Sequence, residues 1–120
     1  MATQFSTLLK LALPVQGELA GTWGDLVNAS VTNMIEEAIA GSATINTWST
    51  NSATLSTANG STAESRAAIL NLTDTGTSLS GAATVIVPAL SKLFVVKNGT
   101  AQTVTVKTAS GTGIAIPSGS

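Results

Sequence analysis

The stretch Leu93-Phe94-Val95-Val96-Lys97-Asn98-Gly99 followed by Val104-Thr105-Val106 decides how the rest of the chain is read. Two short apolar runs flank an Asn-Gly pair whose members both tolerate positive φ, which predicts a β-hairpin turning at Asn98-Gly99. Working outward, Ala67 to Thr73, Thr84 to Val87, Lys92 to Lys97, Thr103 to Thr108 and Ile114 to Ile116 are further short apolar or alternating runs. Turn residues separate them at the pitch of an all-β sandwich or barrel. With one helix upstream, the expected class is α+β, mainly β. It comprises an N-terminal extended arm, one amphipathic helix and a Ser/Thr-rich antiparallel β-sandwich-like unit.

Composition favours several copies over one. Hydrophobic residues make up 43% and charged residues only 9% of the 120 positions, and Ser and Thr fill 33 of them. Small side chains bury little area each, so a lone monomer has few anchors for a core, and burial between copies supplies what is missing. The expectation is a homo-oligomer, and a trimer among the choices. A net charge of -1 offers no basic field for a phosphate backbone, which excludes nucleic acid as a partner. The apolar run Leu8 to Val15 is short and broken by Pro14, unlike a membrane span or a signal peptide.

Residues 1–41 form the expected arm and helix. Pro14, Gly17 and Gly21 keep residues 1–21 extended, with at most one helical turn around Ser6 to Leu11. Thr22 followed by Asp25 reads as a variant capping box that starts a helix, and Gly41 stops it. Between them Trp23, Leu26, Val27, Val31, Met34, Ile35, Ala38 and Ile39 recur at three- and four-residue spacing over roughly 17 residues. These eight are the candidate interface: Val27, Val31, Met34 and Ala38 fit a short a/d seam between copies, and the plainer alternative is a helix packed on its own β domain. Glu36 and Glu37 lie in the last turn, where negative charge opposes the helix dipole; a merely solvated pair is the readier reading, and the alternative is a cationic partner, such as Lys10 of a neighbouring copy or a basic docking surface.

Residues 42–62 carry no charge and read as a linker or as weak strands near Thr44 to Trp48 and Ala53 to Thr57. Gly41 and this segment look like a hinge between the helix and the β unit of 63–120. The run Ile114-Ala115-Ile116, then Pro117-Ser118-Gly119-Ser120, resembles a strand and the turn to another, so the β unit is expected to continue past Ser120.

Catalysis finds few candidates. The chain has no His, Cys or Tyr, so Ser or Thr lacks the usual base, and a zinc site lacks its ligands. Ser91 and Lys92 are neighbours in an expected strand and point to opposite faces. Glu36 and Glu37 diverge by about 100° on a helix, and Glu64 with Asp74 reads as solvated turn residues more readily than as a glycosidase pair. No calcium loop occurs, and Ser110-Gly111-Thr112-Gly113 is a turn without the lysine of a phosphate loop. The expectation is a protein that is not an enzyme, with no catalytic residues, cofactor or metal.

Two longer stretches carry a resemblance. The run Leu13-Pro14-Val15-Gln16-Gly17-Glu18-Leu19-Ala20-Gly21-Thr22-Trp23-Gly24-Asp25, continued by Val27-Asn28 and Ile35-Glu36-Glu37-Ala38-Ile39, resembles the front end of tail-fibre or related tail structural proteins of marine bacteriophages. So do Leu55-Ser56-Thr57-Ala58-Asn59-Gly60, Arg66 to Thr73, Val87-Pro88 and Lys92 to Asn98. The resemblance implies a homotrimeric fibre in the virion, assembled in the host cytoplasm. Its N-terminal region would attach to tail or adaptor proteins, and a distal region absent from this chain would contact a host surface receptor. A capsid decoration (cement) protein is the alternative, and a carbohydrate-binding module, with Trp48 stacking on sugar, a third.

Overall fold

The computed structural model describes residues 3–17 and 20–120. A small antiparallel ladder of β1 (Gln4–Phe5) and β2 (Ala12–Leu13) forms the arm. One helical stretch follows: α1 (Trp23–Val27), a π-helical turn (Asn28–Thr32) and α2 (Asn33–Ala40). The remaining strands are β3 (Ser42–Ile45), β4 (Ser52–Thr54), β5 (Ile69–Leu72), β6 (Ala83–Ile86), β7 (Val95–Asn98), β8 (Val104–Lys107) and β9 (Ile114–Ile116). Mixed α and β but mainly β, the class matches the composition and the pattern.

The pairing differs from the antiparallel sandwich that the pattern predicted. β3, β5 and β7 form one sheet and are parallel throughout. β4, β6 and β8 form a second sheet, also parallel, closed at one edge by β9 running antiparallel to β8. The chain alternates between the sheets, so β3–β4, β5–β6 and β7–β8 are three successive coils of a short two-sided β-solenoid. Ser42, Ile69 and Val95 stack at chain separations of 27 and 26 residues, whereas Ser52, Thr84 and Thr105 stack at 32 and 21.

The hairpin expected at Asn98-Gly99 is therefore a corner between sheets. Neither residue has positive φ. Asn98 turns its side chain inward, fully buried. Its Nδ2 donates to the carbonyls of Gln102 (2.8 Å) and Ile116 (2.9 Å), and its Oδ1 accepts from Thr100 N–H (3.0 Å) and Oγ1–H (2.7 Å). The Asn side chain replaces backbone turn bonds and lets the chain change sheet. A true two-residue turn lies instead at Thr50-Asn51, with φ of 53° and 56°, where Ser49 and Ser52 exchange backbone bonds of 2.8 and 3.1 Å.

The core lies between the two sheets. Ile45, Leu70 and Leu72 from one meet Leu55, Ala83, Val85 and Val104 from the other, with Trp48 and Leu79 from the corners. Leu70, Leu72, Val85 and Val104 are wholly buried, each contributing roughly 1.5–3 kcal/mol relative to exposure. Segment 42–62, read as a linker or as weak strands, supplies the first coil, its strands β3 and β4 overlapping the expected Thr44 to Trp48 and Ala53 to Thr57. Its small alternating side chains put Ala43, Ile45, Ala53 and Leu55 inward.

The expected hinge at Gly41 is a fixed join. Its N–H donates to Glu37 O (2.9 Å), and its carbonyl accepts from Ala68 N–H (3.0 Å) and Ile69 N–H (3.1 Å). A Cβ there would stand 2.5 Å from the Glu37 carbonyl oxygen, so only glycine fits so close to the last helical turn. The expected capping box does not form either: Thr22 makes no side-chain cap bond, and its carbonyl accepts from Leu26 N–H at 3.2 Å. Around Ser6 to Leu11 the chain turns between β1 and β2 without a helix. The molecule measures 53 × 26 × 22 Å, and its radius of gyration of 16.5 Å exceeds the about 14 Å of a compact chain this long.

Candidate functional site

The helix separates the eight expected interface residues into two sets. Met34 is buried, and Leu26, Val27, Val31 and Ala38 are half-buried by the chain itself. Trp23, Ile35 and Ile39 face outward, with Trp23 61% and Ile39 74% exposed. The π turn causes the division, because i→i+5 bonding admits an extra residue and takes the three-and-four spacing out of phase. Val27, Val31, Met34 and Ala38 therefore line the intramolecular side rather than a seam left free along its whole length.

Arg66 holds this helix and the arm to the solenoid. A 3₁₀ turn, Glu64–Arg66, sets its side chain 5% exposed beneath the arm. The guanidinium donates to the carbonyls of Leu9, Ala58 (2.7 Å) and Ser61 (3.2 Å). Its Nε lies 3.8 Å from Glu37 Oε2, a buried atom with no hydrogen-bond partner. The cation facing Glu37 is thus in its own chain, while Glu36 stays exposed. Burial pulls Arg66 below its ordinary pKa, and Glu37 partly restores it. Lys92 is lowered by burial and by Arg66, with Glu37 opposing. Its Nζ donates to Ala67 O (2.8 Å) and lies 4.1 Å from the centroid of the Phe94 ring.

The arm meets the body at Gly60, whose N–H donates to Lys10 O at 2.6 Å. A Cβ on Gly60 would fall 2.9 Å from the Phe5 ring and 3.1 Å from Ser30 Cβ of the π turn, and its φ is +65°. Arm, π turn and loop therefore converge where a side chain has no room.

The carboxylates weighed as an acid pair serve different loops. Glu64 accepts from Ser56 N–H (3.0 Å) and from its hydroxyl, and the hydroxyl bond is the main cause of a pKa below the usual range. Asp74 accepts from Ala101 N–H at 3.3 Å. A groove of about 330 Å³ opens on the first coil, lined by Thr44, Asn46, Thr47, Ser49, Ser52, Thr54 and Glu64 over Ile45, Trp48, Ala53 and Leu55. Trp48 lies in its floor as core, its indole N–H donating to Thr73 O at 2.8 Å.

Sequence reasoning did not single out the outer face of the β3-β5-β7 sheet. With Leu70, Leu72, Val96 and Asn98 inward, strand alternation turns Ile69, Asn71, Val95 and Lys97 outward. Ile69 is 36%, Val95 57% and nearby Leu93 84% exposed. The adjacent apolar pairs Ile69-Leu70 and Val95-Val96 were the available signal, since apolar residues of both parities mark a strand with two faces to cover. No helix among the described residues is long and apolar enough to cross a membrane, and no group of three or more acidic residues there could hold a metal. No family model, curated protein or solved structure matches the chain.

Proposed function

We propose that this chain is a non-catalytic virion structural protein, the N-terminal part of a bacteriophage tail fibre that attaches the fibre to the tail and assembles as a trimer. The observation that carries this reading is an elongated β-solenoid led by an arm and helix that expose Trp23, Ile35 and Ile39. Exposed large apolar side chains on the helix suit attachment, because interfaces are enriched in tryptophan and exposed apolar clusters mark contacts. The resemblance of Leu13 to Asp25 and of Lys92 to Asn98 to phage tail proteins supports the same reading. Partners are then copies of the chain and tail or adaptor proteins, and the working location is the virion.

Gold-labelled antibody raised against the chain, applied to phage particles that encode it, is expected to mark the tail. Trp23→Ala should remove the label while leaving the purified chain's thermal unfolding unchanged. Label confined to the capsid shell would overturn the fibre reading in favour of a decoration protein.

A further inference from the structure

Charge is divided along the chain in a way that its net value of -1 conceals. Residues 1–64 carry five carboxylates (Glu18, Asp25, Glu36, Glu37, Glu64) against Lys10, and residues 65–120 carry Arg66, Lys92, Lys97 and Lys107 against Asp74. The helical portion is acidic, whereas of the later cations Arg66 is buried against Glu37 and Lys97 stands exposed on β7. On α2 the acidic surface is also apolar, since Ile35, Glu36 and Ile39 occupy adjoining exposed positions.

The two outer faces of the solenoid differ. That of the β4-β6-β8 sheet carries the rows Ser52-Thr84-Thr105 and Thr54-Ile86-Lys107, mostly hydroxyl-bearing, as suits a face left in water. That of the β3-β5-β7 sheet carries Ser42-Ile69-Val95 and Thr44-Asn71-Lys97, with exposed Leu93 beside it. Towards the last coil this second face becomes apolar with one cation, and parallel sheets rarely leave an apolar face uncovered.

We infer that the occupant of this face is a second copy of the chain. Ile35 and Ile39 of one copy cover Val95 and Leu93 of the next, and Glu36 pairs with Lys97. The argument is complementarity: the acidic apolar surface and the basic apolar surface have opposite charge and like hydropathy, and belong to different parts of the same chain. A contact between two different surfaces is heterologous, so repeating it builds a ring where the rotation closes. The contact rests on the self-association in the reading above and names its surfaces.

The test is sedimentation of the full chain at low salt with charge reversals at exposed positions, each variant's thermal unfolding being followed alongside. Glu36→Lys and Lys97→Glu are each expected to weaken self-association by about tenfold or more, and the double variant to recover most of that loss. Ile39→Asp and Leu93→Asp should weaken it while each variant keeps a single cooperative unfolding transition. Added salt should narrow the difference between wild type and the single reversals. An assembled wild type whose association ignores all four substitutions, or a double variant no better than either single, overturns this contact and leaves the oligomer reading standing. A folded wild-type monomer at micromolar concentration overturns both.

Discussion

Asn98 shows how one polar side chain can direct the path of a chain. Fully buried, it fills both donor and both acceptor positions, joining the corner after β7 to β9 through Ile116 O. Removing it strands buried groups, each costing about 1–3 kcal/mol when left unmade. Asn98→Leu keeps the volume but strands Ile116 O and Thr100 N–H, so a loss on the order of 3 kcal/mol is expected. Asn98→Asp should fare no better, because a carboxylate cannot donate to the carbonyls of Gln102 and Ile116. Urea unfolding followed by the fluorescence of core Trp48 measures both. A midpoint within error of wild type for either would show that the corner does not depend on this side chain.

Individual elements were legible where alternation is local, and their pairing was not. β5, β8 and β9 fall within apolar runs visible in the sequence, and β6 and β7 overlap theirs by all but one residue. Parallel pairing, however, depends on residues more than twenty positions apart, and the coils differ in length, so no exact repeat announces a solenoid. Asn98-Gly99 misled because its side chain is spent in the interior, whereas the real two-residue turn carries Thr50 and Asn51, a pair without glycine. In the candidate site the apolar helix residues were readable but not the π turn, which decides that Met34 faces in and Ile39 faces out. Arg66 gave no periodic signal, because its partners are backbone carbonyls of distant segments. The Thr50 turn offers an element-scale prediction. A β-branched residue at φ 53° is strained, and such positions cost of order 1–3 kcal/mol. Thr50→Asn should therefore stabilise the chain by about 1 kcal/mol. Asn51 must stay, because its side chain bonds Ser80 across to the second coil. The midpoint of thermal unfolding should rise by several degrees, and a fall would mean that the Thr50 side chain has a role the turn geometry does not reveal.

At the scale of the whole molecule, a solenoid is held together by neighbour-to-neighbour contacts, so stability varies along its axis. The middle coil, β5 and β6, is bonded on both sides, to β3 and β7 in one sheet and to β4 and β8 in the other. The first coil has sheet neighbours on one side only, and β3 and β4 are outer strands of their sheets. At the other end β9 shields β8, and residues 119–120 bond Asn98 through Gly119 N–H (2.8 Å) and Ser120 O (2.6 Å). Amide hydrogen exchange should therefore be slowest in Ile69–Leu72 and Ala83–Ile86 and fastest in the first coil. Arg66 adds a second feature: since it ties Leu9, Ala58 and Ser61 together, the arm should exchange with the loop 56–63 rather than independently. Arg66→Met should expose both segments to exchange while the middle coil keeps its protection. An antiparallel sandwich built on a β7–β8 hairpin would instead protect those two strands as a pair. Joint protection of β7 and β8 above β5 and β6 would thus count against the solenoid, whereas a gradient falling from the middle coil to the first follows directly from the parallel ladders.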